Sequence, residues 1–344
     1  MKRSFDIWMF ISTVGLAIFS LFTILGTKKD LFGNQLIFFF FGYGLLFVFY
    51  FLGLSFFRLN ARAIYIISLF LLILTFIFGS LVRGSRRWID LYFFQFQPSE
   101  FFKVFFLIFI CEVFSKKRPG SVHQWWKYFL LFLIPTLIIF KQPDLGNALI
   151  YTSAFFGLLY LAGFSIRNFL SISAISLICL PIFWHFLKDY QKNRIISFVN
   201  PEIDTQGIAY NLIQSVITVG SGGFMGRGLG LGTQARYLFL PEYHTDFAFA
   251  SLTEQFGFIG GLTVIILYGL LIYRLVKKAE KRSDSRFTYM FLYGVVFMIF
   301  SSIVINIGMN LGMLPITGIA LPLISYGGSS IVSTLIMLGL CLSL

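Results

Sequence analysis

The chain carries too little charge to be a water-soluble protein. Of its 344 residues, 12% are Asp, Glu, Lys or Arg, against about 25% in an ordinary soluble domain. Cysteine is scarce too. Cys111, Cys179 and Cys341 all sit in apolar runs with no CxxC pair, which excludes a disulfide framework and argues against thiol chemistry. The three histidines, His123, His185 and His244, lie in different segments without ligand spacing, so a histidine-built metal centre is not expected. Neither a Walker pattern nor GxGxxG fits the glycines, which disfavours a nucleotide loop. Acidic residues are few, 14 against 27 basic, for a net charge of +13. In a soluble protein that excess would suggest nucleic acid. In an apolar chain it reads mainly as topology, because Lys and Arg collect on cytoplasmic loops. A remainder is available for anionic lipid or substrate, and no nucleic-acid partner is expected.

What is abundant is hydrophobic sequence, 58% of the chain. Apolar runs of spanning length lie near 7–26, 34–56, 63–82, 97–115, 127–142, 145–163, 168–187, 247–273, 287–309 and 323–343. They predict an all-α polytopic membrane protein of about ten transmembrane helices. Residues 1–344 form a single membrane domain. The first run is too long for a signal-peptide core and has no small-residue cleavage pattern after it, so it reads as a retained span. Gln142-Pro143-Asp144-Leu145-Gly146 is a tight turn between two spans. With the N-terminus inside, Lys2, Arg3, Arg58, Arg62, Lys116, Lys117, Arg118 and the basic stretch from Arg274 to Arg286 fall on one side. Both termini are then cytoplasmic. The large polar loop, 188–246, is extracytoplasmic between spans seven and eight. Arg83, Arg86 and Arg87 break the charge rule in a short outer loop beside Trp88. They form either an interfacial anchor or a site for an anion such as a lipid phosphate.

Within the long loop, Asn211, Ser215 and Thr218 recur at helical spacing and predict a short interfacial helix with one polar side. Gly220-Ser221-Gly222-Gly223 and the glycines after it read as a flexible turn or as backbone that can approach a phosphate. Asp246 closes the loop where it meets an apolar span. A carboxylate there is either a helix N-cap or a functional acid; spacing alone leaves both open. Gln97-Pro98-Ser99-Glu100 opens the fourth span, and Lys103 shares a face with Glu100 at i, i+3. Such a pair must face protein or a wet cavity. The Pro/Gly-broken stretch from Asn310 to Ser330 suggests a re-entrant element.

These segments together resemble the SEDS family (shape, elongation, division and sporulation), its RodA branch more than its FtsW branch. The resemblance runs nearly end to end. It is carried by Arg86-Arg87-Trp88-Ile89-Asp90, Gln97 to Glu100 with Lys103, Gln142 to Gly146 and Asn200-Pro201-Glu202. It continues through Tyr210-Asn211 with Gln214-Ser215, Gly232-Thr233-Gln234, Leu240 to Phe247, and Ile324 to Ser330. Departures are Ala209, Gln255 and Leu321-Pro322-Leu323, none of which touches Asp246.

The resemblance implies a peptidoglycan glycosyltransferase of the bacterial cytoplasmic (inner) membrane, acting in cell elongation and rod-shape determination. It would polymerise lipid II into β-1,4 glycan strands at the outer face. Asp246 of His-Thr-Asp-Phe would be the catalytic acid residue, taking the proton of the acceptor hydroxyl. Arg86, Arg87, Lys103, Lys192, Arg194 and Arg227 form the cationic pool for the leaving pyrophosphate. Glu100, Asp144, Gln214, Gln234, Glu242, His244, Thr245, Ser325 and Tyr326 complete the expected substrate-binding surface. No cofactor is required by the sequence; a divalent cation, Mg or Mn, is the option for sharing the pyrophosphate charge. Implied partners are a class B penicillin-binding protein that supplies transpeptidation and the membrane proteins of the elongation complex. The competing readings are a lipid II flippase and a non-catalytic scaffold for that penicillin-binding protein.

Overall fold

A computed structural model describes residues 5–82, 85–90, 95–116, 122–187, 189–200 and 207–344. Lys2, Arg3, Arg83, Lys117, Arg118, Lys188, Pro201 and Glu202 lie outside the described residues. Every apolar run coincides with a helix. The first half comprises α1 (Ile7–Thr27), α2 (Phe32–Leu52), the short α3 (Leu54–Leu59) and α4 (Ala61–Phe78), followed by α5 (Pro98–Lys116), α6 (Val122–Lys141), α7 (Leu145–Leu161) and α8 (Ile166–Phe186). The second half carries α12 (Ala248–Lys281), α13 (Arg286–Asn310) and α14 (Gly328–Leu342). The polar stretch between them is itself structured, with α9 (Asp189–Val199), α10 (Ile208–Ser221) and α11 (Thr233–Arg236). By length and apolarity α1, α2, α4, α12 and α13 are able to cross a membrane. Phe40, Leu59, Phe78 and Ile178 are all more than three-quarters exposed; an outer surface of that kind faces lipid. The chain is a multi-pass membrane protein.

One departure from an all-helical fold matters for the site. The run expected to span 63–82 stops as a helix at Phe78, and Ser80–Val82 pairs as β1 with β2 (Ser85–Asp90), which pairs in turn with β3 (Gln95–Phe96). Side chains alternate along a strand. Arg86 is therefore exposed while Arg87 turns inward and is half-buried.

The glycine run has a packing role that its composition did not disclose. Helix α12 breaks at Gly257, with φ 68° and ψ −165°. The break leaves backbone groups without helical partners. The glycine loop takes them up: Arg227 N–H donates to Glu254 O at 2.8 Å, and Gly228 N–H to Gln255 O at 3.0 Å. Phe258 N–H donates in return to Gly223 O at 2.9 Å. A Cβ on Gly226 would sit 2.2 Å from Gln255 O, so only glycine permits this approach. These N–H groups are committed to α12 and do not form a phosphate cradle. On α10 the polar face is the inward one. Ser215 and Thr218 are fully buried, Ser215 Oγ donates to Asn310 O at 3.0 Å, and Ile213, Val216 and Ile217 face outward.

At the opposite end of the bundle Asp6 caps α1, accepting from Met9 N–H at 3.1 Å, and Arg274 grips it bidentately at 3.0 and 2.7 Å. Burial alone would raise the Asp6 carboxyl; the Arg274 hydrogen bonds and charge, with the Met9 N–H, overcome it and hold the carboxyl below its ordinary value. A depressed carboxylate stabilises the fold above its unfolded pKa, and that contribution fades as pH falls through the folded value. Asp6→Asn is expected to cost about 1.5 kcal/mol at pH 7. The gap between variant and wild-type melting temperatures should close below about pH 4, which a pH series of thermal unfolding in detergent checks.

Candidate active site

The first turns of α5, α7 and α14 and the residues just before α12 meet around one narrow cavity with a free volume near 150 Å³. Each helix start carries N–H groups without i−4 partners and the positive end of a macrodipole, about half an elementary charge. Glu100, Lys103, Asp144, Asn147, Thr245, Asp246, Gly327, Ser329 and Ser330 line this space, and Arg87 and Trp88 of β2 close its mouth. The floor is apolar, made of Val104, Ile150, Met298, Ile299 and Met337.

Two charged units are built into the wall. Lys103 Nζ lies 2.7 Å from Glu100 Oε2, and both side chains are largely buried. Ser333 Oγ adds a 3.4 Å contact to the same carboxylate oxygen. Asp144 caps α7 through Asn147 N–H at 3.2 Å. Its Oδ2 accepts from Gln97 Nε2 and Asn147 Nδ2, both at 2.8 Å, while Arg87 stands 3.8 Å from Oδ1. The buried acid is thereby satisfied and holds Arg87 toward the cavity.

Asp246 does not cap its helix. The N-cap position of α12 is Phe247, and it makes no side-chain cap bond. The Asp246 carbonyl accepts instead from Asn306 Nδ2 at 3.0 Å and Asn310 Nδ2 at 3.1 Å. Its carboxylate approaches Gly318, where a Cβ would lie 3.6 Å from Oδ2 and where φ is +75°. The turn that precedes it is knitted around Glu242, whose φ is 53°. Glu242 O accepts from Thr245 N–H at 3.1 Å and Phe247 N–H at 3.2 Å, and Thr245 Oγ1 donates to Glu242 Oε2 at 2.9 Å. A non-glycine residue in that backbone region persists only when its surroundings hold it. Next to it, burial and then the Asp30 and Glu242 charges push the Tyr243 phenol up, so it stays protonated at neutral pH.

The re-entrant stretch after α13 forms the roof. From Ile316 onward its backbone is non-helical yet largely buried, so its polar groups need partners from other elements. Asn306 Nδ2 donates to Ile319 O at 2.6 Å, Ser20 Oγ to Ile324 O at 2.7 Å, and the Tyr268 hydroxyl to Pro322 O. Ser325 Oγ accepts from Leu321 N–H at 2.8 Å and donates to Thr245 O at 2.6 Å, while Tyr326 N–H donates to His244 O at 2.8 Å. Asn306 thus ties the candidate acid to the roof. Asn306→Ala is expected to cost about 2 kcal/mol, the penalty for stripping buried carbonyls of a donor, read as a lower unfolding midpoint than in wild type.

Of the residues singled out in the sequence, the cavity gathers Arg87, Glu100, Lys103, Asp144, Thr245, Asp246 and Tyr326. Arg86 points away, Lys192 is half-buried on α9, and Gln214 is half-buried on α10. Arg194 reaches the roof, donating to Thr317 O at 3.1 Å. Arg227 is exposed and bonds Ser221 O at 3.0 Å. Gln234 N–H bonds Glu254 Oε1 at 3.0 Å, fastening α11 to α12. Glu242, His244 and Ser325 support the Asp246 turn from behind. Sequence reasoning missed Asn306, Asn147 and Ser333. Asn306 and Asn310, four residues apart on one face of a span, were the available signal, because polar side chains inside a span must face protein or a cavity.

The comparisons with known proteins agree with this fold. The family model FtsW/RodA/SpoVE, described as cell cycle protein, matches residues 2–344. The peptidoglycan glycosyltransferase MrdB of Escherichia coli (strain K12) is 37% identical over 289 residues, 83% of this chain and 77% of the relative. The protein of the same name from Helicobacter pylori (strain ATCC 700392 / 26695) is 33% identical over 345 residues, 98% of this chain and 88% of the relative. Among solved structures, a chain of a peptidoglycan synthase complex that coordinates polymerization and crosslinking superposes with a TM-score of 0.88 at 28% identity, covering 99% of this chain and 97% of that one. The rod shape determining protein RodA of Thermus thermophilus gives 0.75 at 27% identity, covering 99% and 96%. By full-length match, by relatives and by fold, the chain belongs to the FtsW/RodA/SpoVE family.

Proposed function

We propose that this protein is a peptidoglycan glycosyltransferase that polymerises lipid II at the outer face of the cytoplasmic membrane during cell elongation. The observation that carries the reading is the convergence of positive helix starts, Arg87 and Lys103 on the cavity that Asp246 enters. The polymerisation step expels a lipid pyrophosphate, and its charge grows as the glycosidic bond breaks. Fixed positive ends in a site of low water content stabilise that charge without reorganising. Asp246 takes the proton of the acceptor 4-hydroxyl; the oxygen bonds to the anomeric carbon, and the bonding pair departs with the pyrophosphate oxygen. The turn around Glu242 and the Asn306–Asn310 clamp hold that carboxylate in position.

In this reading the chain spans the membrane about ten times, with both termini cytoplasmic and residues 188–246 outside. The even-numbered spans then all begin on the outer side, where the cavity is. A divalent cation, Mg or Mn, would be held chiefly by the pyrophosphate oxygens. Glu100 is engaged by Lys103, and Asp144 by Gln97 and Asn147. Such an ion would neutralise phosphate charge, in keeping with the few protein ligands Mg usually takes. A class B penicillin-binding protein is the partner that cross-links the product; the likeness to a synthase complex supports it. The apolar floor of the cavity argues against a flippase, which needs a polar path through the whole bilayer. Purified protein given labelled lipid II is expected to make glycan strands, with and without the partner and added Mg. Failure to extend lipid II under all four conditions would remove the polymerase reading.

A further inference from the structure

A second site lies at the other end of the bundle, on the side of the Asp6–Arg274 pair. Two adjoining cavities of about 400 and 380 Å³ open there between α3, α4, α5 and α6. Arg58, Arg62 and Lys116 line them, and among the described residues Glu112 is the one acid in the lining. Glu112 is engaged twice: its Oε2 lies 2.6 Å from Arg58 Nε and its Oε1 2.9 Å from Lys116 Nζ. Arg58 is also steadied from behind, with its guanidinium 4.5 Å from the ring centroid of buried Phe287. Arg62, exposed in the first turn of α4, makes no ion pair among the described residues. Helix α4 itself begins without a side-chain cap and without an acid in its first turn.

The site therefore offers three cations and a positive helix start against one carboxylate. That excess calls for an anion. Its surroundings say what kind. Phe109 and Leu131 complete the wall, and the neighbouring Phe56 and Leu59 are 51% and 87% exposed on the lipid-facing surface. A free phosphate would gain nothing from that apolar rim, whereas a phospholipid can lay an acyl chain along it while its headgroup enters between the cations. We propose that this groove binds the headgroup of an anionic phospholipid of the inner leaflet. Arg58 is held in place for the phosphate by Glu112 and Phe287, and Arg62 and Lys116 close on it from the two sides.

The test uses the full chain in mixed micelles of phosphatidylglycerol and phosphatidylcholine, with bound lipid counted by native mass spectrometry. Arg62 and Lys116 are both exposed, so Arg62→Gln and Lys116→Gln leave the bundle intact, which the unfolding midpoint verifies. Wild type is expected to retain phosphatidylglycerol over phosphatidylcholine, and each substitution to lower that preference by about fivefold. Three results would overturn the proposal. They are equal retention of the two lipids by wild type, an unchanged preference in the double variant, or displacement of phosphatidylglycerol by an equal concentration of inorganic phosphate, which would mark a free-phosphate site.

Discussion

Asp246→Asn is expected to fold normally and to make glycan strands about 100- to 10,000-fold more slowly than wild type, the usual contribution of a positioned base. The substitution keeps the shape of the side chain and removes only its basicity. The surrounding structure predicts that the fold will survive, because the clamp on this residue acts on its main chain. Asn306 and Asn310 hold the Asp246 carbonyl, which an asparagine also carries. The turn hydrogen bonds run through Glu242 and Thr245. The experiment measures labelled lipid II turnover and the unfolding midpoint on the same preparation. A variant that melts like wild type yet polymerises within tenfold of it would strip Asp246 of the base role. A variant that fails to fold would leave the carboxylate needed for structure, and Asp246→Glu would then separate charge from length.

Lys103→Met is expected to give the next largest effect, on both stability and activity. Glu100 and Lys103 are 2.7 Å apart in a wall where little water reaches either. Removing one member of a buried pair strands the other charge, at a cost of about 3–5 kcal/mol. Replacing both by neutral groups avoids that cost. Glu100→Gln combined with Lys103→Met should therefore recover most of the stability lost by Lys103→Met alone. Polymerisation should not recover with it, because the cation that faces the leaving pyrophosphate is still missing. The cycle separates two roles that a single variant confounds. If the double variant polymerises at the wild-type rate, the pair serves only to hold α5 in place.

Most of the helical framework was legible, because long apolar runs admit few structures in lipid. The motif residues were legible as a set, but their individual tasks were not. Arg86 and Arg87 look alike in sequence and differ only because a strand alternates its faces. Ser325 and Glu242 read as substrate contacts, and sequence did not disclose that they also brace the Asp246 turn, Ser325 Oγ donating to Thr245 O and Glu242 Oε2 accepting from Thr245 Oγ1. The glycines after Ser221 suggested flexibility, whereas their function depends on a break in α12 more than thirty residues downstream. Such pairings follow from tertiary contact, which local propensity does not encode. Conversely, the helical spacing of Asn211, Ser215 and Thr218 was correct, but the polar face turned to protein and the apolar face outward.

Beyond its break at Gly257, helix α12 continues from Phe258 to Lys281, about 36 Å at 1.5 Å per residue, enough by itself to cross the roughly 30 Å of a hydrocarbon core. One end follows directly from Asp246, and the other carries Arg274, locked to Asp6. Two helical segments in series thus join the candidate base to the opposite end of the bundle. The angle between the two segments is set at Gly257, and the glycine loop laced across that residue is the splint that holds it.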